Sequence, residues 1–494
     1  MNTCNNAHKY AAFCAEEEPF VFEDLQYLNI PLPEELAALR GAGKFAALRT
    51  GIAARLAAGW MEEGMRRRLV LELRILDRLE QAYTVTRPQL LDELNAELVD
   101  FDPAELDRFE ADGLLDWQFI EGEQRYYTRT VPSLFIVYPA LNHRRKVWTG
   151  REAAAAADAE KTRMEQIMKR DGYMALRYRI RYEARVRPEA ARYGSTLRLH
   201  IPLPVEESQM ENVRLLATSH PPVSVAPAQF PLRTVLLEKP LEENDVFWAE
   251  YEVTNRSPYI DLHAIASMEP AQRPVPAKPA VLNESDRARY LAEQAPHIGF
   301  TPYLRGLAQR IVGDEVDPLR RARAIFDWIS LDNIRYSFVR SYFGTPNLPE
   351  STARNQRGDC GMQALLFISL CRICDIPARW QSGRTTNPAA LTTGCHDWAQ
   401  FWAGEYGWVW VDCSAGGGAR RAGNEDRRRF FFGNMHPARL VMATQFQHQT
   451  FVPMQYMRFD PYDNQEVEAE YADRGLPHGS LETSTRILAV EQIP

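Results

Sequence analysis

At 494 residues the chain exceeds one typical domain of ~100 to 200 residues, which predicts two or three folded units, each with its own core. Its 45% hydrophobic and 25% charged content is that of a globular protein and excludes a fibrous or extensively disordered one. The formal charge of -8 is small and acidic, so no broad phosphate-neutralising surface is available and nucleic acid is not an expected partner.

The first twenty residues, MNTCNNAHKYAAFCAEEEPF, lack the basic and apolar regions of a secretion signal, and no run approaches the ~18 apolar residues of a membrane span. The expectation is a cytoplasmic protein with no membrane partner. Seven cysteines, an odd number with five of them from Cys360 to Cys413, predict reduced thiols rather than a disulfide framework. Short basic runs such as Arg66–Arg68 and Arg427–Arg429 read as solvated faces.

Residues 1–170 are predicted to form a mainly helical domain, since Leu69, Leu73, Leu76 and Leu79 recur at the spacing of one helix face. A hairpin centred on Glu121-Gly122-Glu123 is expected between Trp117 and Tyr127. This region reads as a structural or partner-binding module. From Met174 to Val186 apolar residues alternate with charged ones, the period of a strand with one buried face, and similar runs follow. Residues 171–268 are therefore expected to be an antiparallel β-sandwich, followed by a proline-rich linker over 269–285 carrying Pro270, Pro274, Pro276 and Pro279. Residues 286–494 are expected to form a mixed α+β catalytic domain, in which Asp317-Pro318 supplies an N-cap and first position for a helix reaching about Ile329.

The chemistry concentrates in this last region. In RGDCGMQALLFISLCRICDIPARW, Gly358 and Asp359 precede Cys360, and the apolar run after it predicts a buried helix to about Cys374. Cys360 at such a helix start would be favoured as thiolate by the dipole, beside N–H groups able to receive an oxyanion. A thiol nucleophile needs a base, and His396 is the nearby downstream candidate. It opens an alternating run that continues through Ala403-Gly404-Glu405-Tyr406-Gly407 into Trp408-Val409-Trp410-Val411-Asp412, which predicts a hairpin. A turn near Glu405 puts His396 and Asp412 on one face, where the carboxylate can fix the imidazole tautomer.

In this ordering the sequence resembles the transglutaminase-like superfamily. The matching elements are Gly358-Asp359-Cys360, Ile376–Trp380, His396-Asp397-Trp398 and Trp410-Val411-Asp412, and the likeness covers roughly residues 295 to 465. Phe432-Gly433-Asn434, Arg458-Phe459-Asp460 and Asp463-Asn464-Gln465 are similar to the closing segment of bacterial members, some of which carry a β-domain before the core. The resemblance implies a papain-like fold, acyl transfer through a thioester, and a second oxyanion donor from an upstream side chain, for which Tyr336 and Gln356 are the candidates. Cys413 stands where many relatives have proline.

Other readings were weighed against this one. Cys371-x-x-Cys374 with Cys395 and Cys413 has zinc-ligand spacing, but the first pair lies in an apolar helical run and reads as core. Asp460 and Asp463 lack a calcium-ligand series, so neither metal nor cofactor is expected. Trp398 and Trp380 are candidates for lining the substrate cleft. The expected function is cysteine-dependent acyl transfer on a peptide or protein amide, with water as the usual acceptor. The alternatives are an amine-accepting transglutaminase and a catalytically degenerate peptide-binding scaffold, with DNA binding through the N-terminal helices disfavoured by their mixed charge.

Overall fold

The computed structural model describes residues 22–494 apart from 114, 149–150, 339–341, 457, 459–460 and 478. The expectations for the first twenty residues, and for Phe459 and Asp460, lie outside the described residues. The architecture is multi-domain and mixes helices with several sheets.

Helices α1–α3 (Glu34–Gly41, Phe45–Ala57 and Glu63–Ala82) pack into a small bundle. On α3 the expected stripe is buried at Leu69, Leu76 and Leu79 and widened by Leu71 and Ile75, while Leu73 is only half-buried. There follow β1 (Val85–Thr86), α4 (Arg87–Glu97), α5 (Ala104–Ala111), and the expected hairpin as β2 (Trp117–Ile120) and β3 (Glu123–Tyr126). The three strands form a sheet of order β1-β3-β2. Leu90, Leu94, Leu106, Phe109, Tyr126 and Leu134 give it a separate core. Thr86 starts α4 with a reciprocal capping box to Gln89. The tip of the β2–β3 hairpin is fastened to the bundle, because the Glu121 N–H donates to Gly43 O at 2.7 Å and its carboxylate accepts from Ala46 N–H at 2.6 Å. Helices α6 (Thr130–Val137) and α7 (Arg151–Asp171) lead out of this region.

The sandwich begins with β4 (Tyr173–Val186), whose even-numbered residues Met174 to Ala184 are buried as the alternation requires. Strands β5 (Thr196–Pro202), β6 (Met210–Thr218), β7 (Ser224–Val225), β8 (Thr234–Pro240) and β9 (Phe247–Pro258) follow. Short α8 (Leu262–Ser267) then opens the proline connector, which is strapped down rather than free: Arg273 makes two 2.8 Å bonds to Asp317, and Tyr406 Oη donates to Pro274 O at 2.6 Å.

After the connector, α9 (Glu284–Leu291), α10 (Pro302–Val312) and α11 (Pro318–Trp328) precede β10 (Arg335–Tyr336), α12 (Leu348–Asn355), β11 (Arg357–Gly358) and α13 (Cys360–Ile373). Asp317 caps α11, accepting from Arg320 N–H at 2.9 Å. Helix α13, buried from Gly361 to Arg372, lies on an antiparallel sheet of order β15-β14-β13-β12-β16. Its strands are β12 (Ala378–Asn387), β13 (Thr392–Trp402), β14 (Trp408–Val411), β15 (Phe432–Gly433) and β16 (Arg439–Ala443), with α14 (Cys413–Arg421) and α15 (Glu425–Phe430) inserted before β15.

The span 286–494 is not all one with this sheet. Strands β17 (Glu468–Tyr471) and β18 (Arg474–Gly475) join β5, while β19 (Leu481–Ile493) pairs with β4 along its length. The two sandwich sheets are thus β18-β17-β5-β8-β7 and β19-β4-β9-β6. The physical reason is edge protection, since β4 without β19 would present a long row of unpaired backbone groups.

A bulge between Ser382 and Gly383 shifts the β12–β16 register opposite His396. A Cβ at Gly383 would lie 1.9 Å from Leu440 O, and no rotamer change relieves a backbone contact. Gly383→Ala is therefore expected to cost ~3 kcal/mol or more, at or above the usual range for overpacking, read as a fall in the denaturant midpoint.

Candidate active site

The β13–β14 register, Ala399 opposite Val411, brings Asp412 beside the Trp398 position and leaves His396 two residues along on the same face. Their side chains meet, with His396 Nε2 2.8 Å from Asp412 Oδ2. Asp412 is also the N-cap of α14, where Oδ1 accepts from Ala415 N–H at 2.8 Å and Ser414 Oγ at 3.0 Å. Arg439 Nη2 reaches Oδ2 at 3.0 Å, so four donors serve one carboxylate whose side chain is 1% exposed. Burial opposes its ionisation, yet His396, Arg439 and the Ala415 N–H hold its carboxyl well below the usual range. Burial and then Arg439 push the His396 imidazole below its ordinary pKa against the pull of Asp412, which leaves a neutral base whose Nδ1 remains for a proton.

Asp359 starts α13 as its N-cap, accepting from Met362 N–H at 3.0 Å, so Cys360 is the first residue of the helix as its sequence predicts. The thiol donates to Asp397 Oδ2 at 3.4 Å, and of the expected line from sulfur through His396 to Asp412 the second half, His396 to Asp412, is bonded. The helix start does not lower the thiol pKa: burial, then the Asp397 and Asp359 carboxylates, push it well up.

The parallel pairing of Tyr336 with Gly358 sets Tyr336 two residues from Cys360 in the pairing, and the phenol and the thiol are electrostatic neighbours. Burial and the neighbouring Cys360 and Asp359 keep that phenol protonated, hence a donor. Gln356 is not brought in. It is the exposed residue that ends α12 in the left-handed conformation, with φ 51°, and only its backbone carbonyl is engaged, by Arg335 N–H.

The two tryptophans are core rather than cleft. Trp398 is fully buried, donates from Nε1 to Gln381 at 2.9 Å and stacks 6.2 Å from the His396 ring. Trp380 is buried against Phe446 and abuts Gly361. Strand alternation identifies them as in-facing but cannot separate cleft wall from core when both faces of a sheet are covered. Arg439 and Tyr342 are neighbours of the site that sequence reasoning did not single out, and Gln465, met there only within the closing-segment resemblance, is a third. For Arg439 the signal was an arginine heading the buried strand Arg439–Ala443.

Among the described residues no three His, Cys, Asp or Glu gather to hold a metal, and Cys371, Cys374, Cys395 and Cys413 are free thiols. No helix of the described residues is long and apolar enough to cross a membrane.

The family model of the transglutaminase-like superfamily matches residues 305–413, a span that holds Tyr336, Cys360, His396 and Asp412. No curated protein sequence matches the chain. Among solved structures, a protein provisionally assigned as a cysteine protease from Cytophaga hutchinsonii is 17% identical, with 65% of this chain and 93% of that chain covered and a TM-score of 0.39. The periplasmic domain of TgpA from Pseudomonas aeruginosa is also 17% identical, with 53% and 94% covered and a TM-score of 0.27.

Arg439 gives the site a signed pH response. Its cation disfavours the imidazolium, so Arg439→Gln is expected to raise the His396 pKa toward or above its ordinary ~6.5. NMR titration of the imidazole, assigned against His396→Asn, measures the shift, and the wild-type ring should titrate at the lower pH.

Proposed function

The chain carries a transglutaminase-like core, and from that premise we propose that it is an enzyme that attacks a peptide or protein amide with Cys360 and passes through a thioester. The observation that carries the reading is the 2.8 Å bond between His396 and a fully satisfied Asp412, on strands that flank a helix beginning at Cys360.

The roles follow from the chemistry of each group. The Cys360 proton passes to His396 Nδ1 as the sulfur attacks the carbonyl carbon. The developing oxyanion is received by N–H groups at the start of α13 and by the Tyr336 hydroxyl. The imidazolium, stabilised by Asp412, returns its proton to the departing amine, and the thioester remains. Water then adds with His396 as base, the acid leaves and the thiol is restored.

Water is the proposed acceptor because the imidazole side chain is 16% exposed, so solvent reaches the base that would activate it. An amine could prevail only where a second surface positions it and water is excluded. The unit built on β1–β3 is assigned no nucleic-acid role, since α5 sets Glu105, Asp107 and Glu110 against a single Arg108.

Two measurements test this reading. Cys360→Ala should fold, lose turnover by about 10^4-fold or more and fail to form an adduct with a thiol-directed acyl probe. Undiminished turnover would sink the mechanism, and wild-type protein inert to the probe would favour a degenerate scaffold. With a glutamine-type acyl donor and excess primary amine, free acid should exceed amide product; the reverse would make the enzyme a transferase while leaving the Cys360 chemistry in place.

A further inference from the structure

The acyl-transfer scheme uses one carboxylate, Asp412, but the sulfur is bonded to another. Asp397 Oδ2 accepts from the Cys360 thiol at 3.4 Å. The other oxygen, Oδ1, is held by Gln465 Nε2 at 2.5 Å, and the same Nε2 donates to His396 O at 3.1 Å. The space for this carboxylate exists because residue 361 is glycine: a Cβ there would stand 2.9 Å from Asp397 Oδ2 and 2.7 Å from Tyr342 Oη. Tyr342 in turn donates to Asp359. Among the described residues, the charged and titratable groups around the thiol include Asp397 and Asp359, the phenols Tyr336 and Tyr342, and Arg439 with the His396–Asp412 pair.

Successive side chains of a strand leave on opposite faces, so His396 and Asp397 offer the sulfur two different partners. One is a base that accepts its proton. The other is an anion that favours the thiol and repels the thiolate. On the reading of Cys360 as nucleophile, we propose that Asp397 is a positioning residue that holds the Cys360 thiol as a hydrogen-bond donor and away from His396 until the carboxylate loses its charge or its contact. Gln465 fixes the carboxylate in the holding orientation, and Gly361 gives it room. The resting enzyme therefore carries a guarded thiol, and an arriving carbonyl that takes the place beside Gly361 releases it.

Alkylation of the full chain by iodoacetamide tests this without turnover. The sulfur–carbon bond forms as iodide leaves, so the rate follows the thiolate, and mass spectrometry of the Cys360 peptide reads it. In Asp397→Asn the inflection of rate against pH should fall by roughly 1 to 3 pH units, and the rate at neutral pH should rise about tenfold or more. Asp397→Glu keeps the charge and should follow the wild type. An Asp397→Asn profile that overlays the wild type, or an equal shift in Asp397→Glu, overturns the proposal. Asp397→Ser removes the charge with a smaller group should asparagine not be accommodated. The wild-type inflection gives an independent check, because a value at or below the ~8.5 of a free thiol also overturns it. The outcomes are separable from the nucleophile reading: turnover surviving in Cys360→Ala defeats that reading, whereas the alkylation profile alone decides the hold by Asp397.

Discussion

One buried carboxylate ties the transglutaminase-like region together. Asp412 ends strand β14, caps helix α14, anchors the His396 ring and neutralises Arg439 from β16. A carboxylate with 1% of its side chain exposed carries a desolvation penalty of several kcal/mol unless its lone pairs are filled. Here four donors from the base, the helix start, Ser414 and a strand across the sheet fill them. The requirement is mutual, because Arg439 is also buried and would itself be an uncompensated charge without Asp412. The position of the base is thus fixed by the same contacts that close the sheet.

The bulge at Gly383 belongs to this arrangement. It lets β16 approach β12 more closely than any side chain would allow, directly across from His396, and so carries Arg439 toward the carboxylate. Trp398 fills the floor beneath, with the imidazole stacked on one side and the Arg439 guanidinium 5.6 Å from its centre. A base held between an aromatic face and a satisfied anion has little rotational freedom, which reduces the cost of ordering it during reaction.

Much of this was legible in the sequence where the cause is local. The Asp359–Cys360 helix start, the two alternating runs and the turn near Glu405 are short-range patterns, and they bring Cys360, His396 and Asp412 to adjoining elements. Tyr336 was legible only as a candidate, since its place depends on a two-residue pairing with Gly358. What lay hidden is set by distant packing. The burial of Trp380 and Trp398 depends on both faces of the sheet being covered. The turn of the thiol toward Asp397 depends on Gln465, nearly seventy residues away. The strand Leu481–Ile493 has a mixed pattern, with charged and apolar residues on both faces, and acquires its role only from the open edge of β4.

That strand places the transglutaminase-like region inside the sandwich, as an insertion between β9 and β17. During synthesis β4 is made early, but its partner follows about 300 residues later. At ~5 to 20 residues per second, the nascent β4 edge stays unpaired for roughly 15 to 60 seconds. A hydrogen-bonding edge left open for that long invites pairing with a neighbouring chain. The charged residues that alternate along β4, Arg177, Arg179, Arg181 and Arg185 with Glu183 among them, give the waiting strand a net cationic outer row. Two such nascent edges repel one another, so the arginines act as a co-translational safeguard until β19 arrives.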